Sequence, residues 1–67
     1  MNTFERRSEI IQYLQEKERA STQSLSHLFQ VSEVTIRNDL NELEKRGWIS
    51  RVHGGAEIVQ RLQNEQP

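Results

Sequence analysis

One segment decides most of what this chain can fold into. From Val31 to Gly47 it reads VSEVTIRNDLNELEKRG. Ile36, Leu40 and Leu43 recur at helical spacing. At about 100° per residue, Leu40 lies about 40° and Leu43 about −20° from Ile36, so the three form one narrow buried stripe. Ser32 is placed to cap this helix by accepting from the Thr35 N–H. Val31 and Ile36 then occupy the N′ and N4 positions, where an apolar pair fixes how the chain enters the helix. Gly47 ends the element, since glycine takes the left-handed C′ conformation without a Cβ clash. The predicted helix runs from Ser32 to about Arg46.

The face opposite the stripe collects Val34, Asn38, Asn41 and Lys45, with Arg37 on one flank. Thr35, Asp39 and Arg46 lie on the other flank. Amides, a guanidinium and a branched methyl group suit the edges of bases in a DNA major groove: arginine pairs with guanine, asparagine with adenine, and valine can touch a thymine methyl. A plainly solvated helix face would use many of the same residue types.

The flanking segments narrow the choice. Residues 3–18 predict a first helix, with Thr3 as N-cap, Glu5 in its first turn and an apolar stripe of Phe4, Ile10, Ile11 and Leu14. Residues 21–30 predict a short second helix capped by Ser21, with Leu25, Leu28 and Phe29 on one face. Only QVS joins it to the third helix, the spacing of a helix-turn-helix. Residues 48–59 read as a hairpin: WISRVH is β-prone, GG supplies positive φ at the turn, and AEIV returns. The expected fold class is therefore mainly α with a small β-hairpin, a winged helix-turn-helix of three helices plus a wing. The domain spans 1–58, and the polar 59–67 reads as linker.

Composition removes other classes. With 67 residues there is room for one small domain, and 33% hydrophobic content allows only a modest core. There is no cysteine, which excludes disulfides and thiolate metal sites. Two histidines alone make a metal role for His53 a poor fit, and no metal or other cofactor is expected. The N-terminus is charged where a signal peptide is apolar, and no run approaches the ~18 apolar residues of a membrane span, so a cytoplasmic protein without membrane contact is expected. No nucleophile–base pair or carboxylate dyad suggests an enzyme. Net charge is −1, which disfavours a broadly basic nucleic-acid binder but not a local footprint.

The stretch VSEVTIRNDLNELEKRGWISRVHGGA strongly resembles the DeoR family of bacterial transcriptional regulators. Val31, Ser32, Thr35, Ile36, Arg37, Asp39, Leu40, Leu43, Glu44, Gly47, Arg51, His53, Gly54, Gly55 and Ala56 match its pattern, as does ERRSEII near the start. The chain departs from the pattern at Asn38, often a second arginine, and at Ser26, usually alanine. The Ser26 hydroxyl is expected to bond back to a carbonyl of its own helix. The resemblance implies an N-terminal winged helix-turn-helix that binds double-stranded operator DNA. In such regulators a C-terminal domain, absent from this chain, binds a sugar-phosphate-type effector and makes the homo-oligomer.

The expected DNA-binding set is Arg6, Ser32, Val34, Thr35, Arg37, Asn38, Asn41, Lys45, Arg51, His53, Gly54 and Gly55. Ser32 and Thr35 can contact phosphate or only cap the helix, and both roles are compatible. Arg37 can instead pair with Glu33 one turn back. Arg6 enters as a phosphate contact because it fits the family pattern; the neighbouring Arg7, Lys17 and Arg19 alternate with glutamates and read as a solvated face. Asp39 would be repelled by phosphate, so it is expected to orient an arginine, Arg51 foremost. Arg51 is also a candidate for phosphate or the minor groove. Gly54 and Gly55 serve the wing turn and permit close backbone approach. His27 reads as solvated, and Tyr13 and Trp48 as core or half-buried. The expected function is sequence-specific DNA binding within a metabolite-responsive regulator, a repressor of carbohydrate-utilisation genes, with the isolated chain largely monomeric. A winged-helix protein-interaction module without DNA is the alternative.

Overall fold

The computed structural model describes residues 1–60. Residues 61–67, which hold most of the expected linker and Leu62, lie outside the described residues. The element order is α1 (Thr3–Lys17), β1 (Arg19–Ser21), α2 (Thr22–Phe29), α3 (Glu33–Lys45), β2 (Ile49–Val52) and β3 (Gly55–Ile58).

The third helix forms as its sequence dictates. The Ser32 hydroxyl accepts from the Thr35 N–H at 3.1 Å. At the other end, Gly47 takes φ 85°. Its N–H donates to Glu44, and the Trp48 N–H to Leu43, each at 3.0 Å, closing the last turn. Ile36, Leu40 and Leu43 are buried together with Ile10 and Leu14 of α1, Leu25 of α2, Ile49 of β2 and Ala56 of β3. Each fully buried aliphatic side chain contributes about 1.5–3 kcal/mol. Tyr13 and Trp48 are half-buried against this core, as expected.

Three details of the helices differ from the sequence reading. The N-cap of α1 is Asn2, not Thr3. Its side chain accepts from the Glu5 N–H at 2.8 Å while Glu5 accepts from the Asn2 N–H at 3.1 Å. Glu5 can reciprocate only with the residue three before it, which selects Asn2. Phe4 is 77% exposed rather than part of the stripe. It lies about 100° around α1 from the Ile10–Leu14 direction, too far to share their face. In α2 the buried face is Thr22, Leu25 and Ser26, and Leu28 is exposed. The Ser26 hydroxyl does bond back, donating to the Gln23 carbonyl at 2.8 Å.

The sheet has a third strand that the sequence reading missed. The order is β1-β3-β2, all antiparallel, so β3 is central. Glu18 turns the chain out of α1 with φ 76°, and Arg19–Ser21 then pairs with β3. Three residues are too few to show a strand period. The wing turn is the two-residue loop His53–Gly54, since Val52 pairs with Gly55. Only Gly54 takes positive φ, 79°. Gly55 is glycine for another reason. A Cβ there would lie 2.1 Å from the Ala20 carbonyl oxygen, inside the β1–β3 contact.

Candidate nucleic-acid interface

Two flanks of α3 are fastened to the rest of the fold, and the arc between them is open. On the first flank, Asp39 is completely buried. Arg6 donates to both its oxygens, Nε to Oδ2 at 2.5 Å and Nη2 to Oδ1 at 2.9 Å. Arg7 Nε adds a third bond, to Oδ1 at 2.8 Å. A buried carboxylate is tolerated only with such partners. The hydrogen bond to Asp39 in turn raises the Arg6 guanidinium above its ordinary pKa.

The expected Asp39–Arg51 pair is therefore replaced by Arg6 and Arg7. Asp39 faces α1, whereas the wing approaches α3 from the other side. Arg7, read as solvated, is a structural partner. Two adjacent arginines near the start of α1 and one carboxylate beside the α3 stripe were the available signal.

On the second flank, Glu44 accepts from the backbone N–H of Arg51 at 2.9 Å. The Arg51 side chain bridges further: Nη1 donates to Asn41 Oδ1 at 2.5 Å and Nε to the Gly55 carbonyl at 3.2 Å. Glu44 was not among the expected site residues, yet it helps set where the wing stands relative to α3.

Between these anchors lie the expected reading residues. Val34 is 62% exposed, an apolar side chain in water at the N-terminal end of α3. Asn38 and Lys45 are exposed, and the Asn38 amide makes no hydrogen bond among the described residues. Arg37 is exposed, with Glu33 at 3.3 Å. Such a surface pair is worth only tenths of a kcal/mol and yields readily to a stronger anion. Ser32 and Thr35 flank the first turn, their hydroxyls 3.1 Å apart. Behind Lys45, Glu42 accepts from Arg46 at 3.0 Å. That bond, with the Lys45 charge, holds the Glu42 carboxylate below its ordinary pKa.

The structure thus gathers Val34, Arg37, Asn38, Asn41 and Lys45 on one helix, with Arg51 of the wing beside Asn41. His53 and Gly54 stand exposed at the wing turn. Gly55 and Arg6 are placed elsewhere. Gly55 is buried beneath β1, and Arg6, its side chain only 12% exposed, sits in the α1–α3 junction. No group of acidic or histidine side chains able to hold a metal occurs among the described residues. Nor is any described helix long and apolar enough to cross a membrane.

A short turn between two helices, an exposed polar face on the second of them and a hairpin alongside are the parts of a winged helix-turn-helix. Residues 6–62 match the family model of the DeoR-like helix-turn-helix domain. The chain belongs to this DeoR-like family. Its DeoR-like relatives include a protein of Escherichia coli (strain K12) named "Putative galactitol utilization operon repressor", 50% identical over 84% of this chain and 50% of that protein. The "HTH-type transcriptional regulator GolR" of Listeria innocua is 44% identical over 88% of this chain and 23% of its own length. The "Putative aga operon transcriptional repressor" of Escherichia coli O157:H7 is 52% identical over 84% of this chain and 21% of its own. The chain therefore spans half the length of the first relative and under a quarter of the other two. No solved structure matches significantly. Family and fold together make this chain a DNA-binding regulator domain of DeoR type.

Proposed function

We propose that this domain reads a specific operator by laying α3 in the major groove, with the β2–β3 wing against the neighbouring backbone. The observation that carries this reading is the open arc of α3, where Val34, Asn38 and Arg37 project beside each other while both flanks are fastened. Arg37 and Asn38 read base edges, Val34 meets a thymine methyl, and Asn41 lies one turn further along. Ser32, Thr35, Lys45, Arg51, His53 and the bare Gly54 backbone position the domain on phosphates. Arg6 and Gly55 serve the fold rather than the DNA.

The parent is a cytoplasmic repressor of carbohydrate-utilisation genes that acts by occupying its operator. The relatives named for galactitol and aga operons support this assignment. A sugar phosphate bound by a C-terminal domain, together with homo-oligomerisation there, sets operator affinity; the greater length of the relatives supports that division. The chain itself is a largely monomeric DNA binder and not an enzyme. With four basic residues (Arg37, Lys45, Arg46, Arg51) against four acidic ones (Glu33, Asp39, Glu42, Glu44) from Val31 to Ala56, steering is weak and affinity is local. Titration of duplex DNA at several salt concentrations tests this. Neutralising about 3–5 phosphates gives a slope of log affinity against log salt of roughly −3 to −4. Absence of salt-dependent duplex binding would transfer the role to a protein-interaction module.

A further inference from the structure

We propose that the Asn41–Arg51 hydrogen bond makes Asn41 a one-sided reader, one that presents a donor to the DNA and discriminates against the adenine pairing usual for asparagine. The inference rests on the DNA-reading role proposed above and names what one residue of that face selects.

The chemistry follows from the partners. A guanidinium has only donors, so the group of Asn41 turned toward Arg51 must be the carbonyl oxygen. The Nη1–Oδ1 distance is 2.5 Å. Arg51 is itself held, by its Nε bond to the Gly55 carbonyl and by the Glu44 carboxylate on its backbone N–H. It also lies in the strand ladder opposite Ala56. The Asn41 oxygen is thus engaged by a cation that the wing fixes in place, and the amide NH2 is left to face outward.

Asparagine recognises adenine through two bonds, its oxygen accepting from N6 and its nitrogen donating to N7. A second donor brought to the Asn41 oxygen meets the positive charge of Arg51, which disfavours the adenine amino group. The same charge strengthens the outward NH2 as a donor. Acceptor edges gain: guanine O6 and N7, or thymine O4, whereas adenine offers N7 alone, beside the disfavoured amino group. Cytosine, which offers only its N4 donor, is rejected. Asn38 differs, because its amide makes no hydrogen bond among the described residues and keeps both functions.

Selection of bound sequences from random duplexes decides the matter, run with the unaltered chain, Asn41→Ala and Arg51→Met. One base position loses its preference in N41A. In the unaltered chain that position carries guanine or thymine ahead of adenine. In R51M it shifts toward adenine by about threefold to tenfold, the worth of one net hydrogen bond. Adenine leading in the unaltered chain, an unchanged preference in R51M, or no position responding to N41A would each overturn the proposal. Should R51M fail to unfold cooperatively, a second measurement replaces it. A duplex with adenine at that position is compared with one carrying unsubstituted purine, which lacks the N6 amino group. Equal or tighter binding of the purine duplex by the unaltered chain supports one-sided reading, and a loss of tenfold or more refutes it. Failure to enrich any sequence, with no salt-dependent binding, would instead remove the DNA-reading role itself.

Discussion

Asp39 of α3 accepts two hydrogen bonds from Arg6 of α1, thirty-three residues away in sequence, through both carboxylate oxygens. This pair, joined by Arg7, is how a helix with one face left open is held to the rest of a small domain. Asp39 is wholly buried, and among the described residues its charge is compensated by those two guanidinium groups.

Removing the carboxylate leaves two partly buried arginines without their shared partner. Asp39→Ala should destabilise the domain by about 3–5 kcal/mol, the cost of breaking a buried ion pair from one side. Arg6→Ala should cost more than Arg7→Ala, because Arg6 makes two of the three bonds. Urea unfolding followed by circular dichroism measures all three. Equal, small losses in D39A and R7A would show that the cluster does not hold α1 to α3.

The two wing glycines should respond in opposite proportion to their exposure. Gly54 is exposed with φ 79° and open space where a Cβ would go, so Gly54→Ala should cost about 1–2 kcal/mol of left-handed strain. Gly55 is buried, and its added Cβ would meet the Ala20 carbonyl at 2.1 Å. Gly55→Ala must push β1 away from β3 and should cost 3 kcal/mol or about that, the upper range for overpacking. Thermal unfolding of both variants checks the order, and a G54A less stable than G55A would contradict it.

Much of this was legible in the sequence; the N-cap of α1 and the place of Phe4 were local misreadings, and the failures at the site have a common form. The α3 stripe, the Ser32 cap, the Gly47 stop and the short turn after α2 are local signals, and each depends on residues within a few positions. The partner of Asp39 is not local. Arg6, Arg7 and Arg51 all offered the same group, and only the side from which α1 reaches α3 decides among them. Strand β1 was invisible because three residues carry no period, and Gly55 was misread because its crowding comes from a strand that was not foreseen. Glu44 became joined to the Arg51 backbone N–H, and Asn41 to the Arg51 side chain, for a similar reason: the angle at which the wing meets α3 is a packing result.

Arg37 and Asn38 should matter for DNA and hardly at all for stability. Both are exposed, and the Glu33 contact of Arg37 is a weak surface pair. Arg37→Ala and Asn38→Ala should each change unfolding stability by less than about 0.5 kcal/mol. Each should weaken specific binding by about 1–3 kcal/mol and relax preference at one base position. Equal losses on operator and random duplex, read by fluorescence anisotropy, would reduce them to phosphate contacts.

In the function proposed above, DNA meets the open arc of α3 and the wing turn. Titrating the 15N-labelled chain with a duplex it binds, and following backbone amide shifts, locates that contact residue by residue. The largest shifts are expected at Ser32, Val34, Thr35, Arg37, Asn38 and Asn41 and at His53 and Gly54, with Ile10, Leu14 and Arg6 little changed. A different surface is available on the same molecule, the shallow groove between α1 and α2 lined by Met1, Tyr13, Leu28 and Phe29. Shifts concentrated there, with α3 silent, would contradict the account.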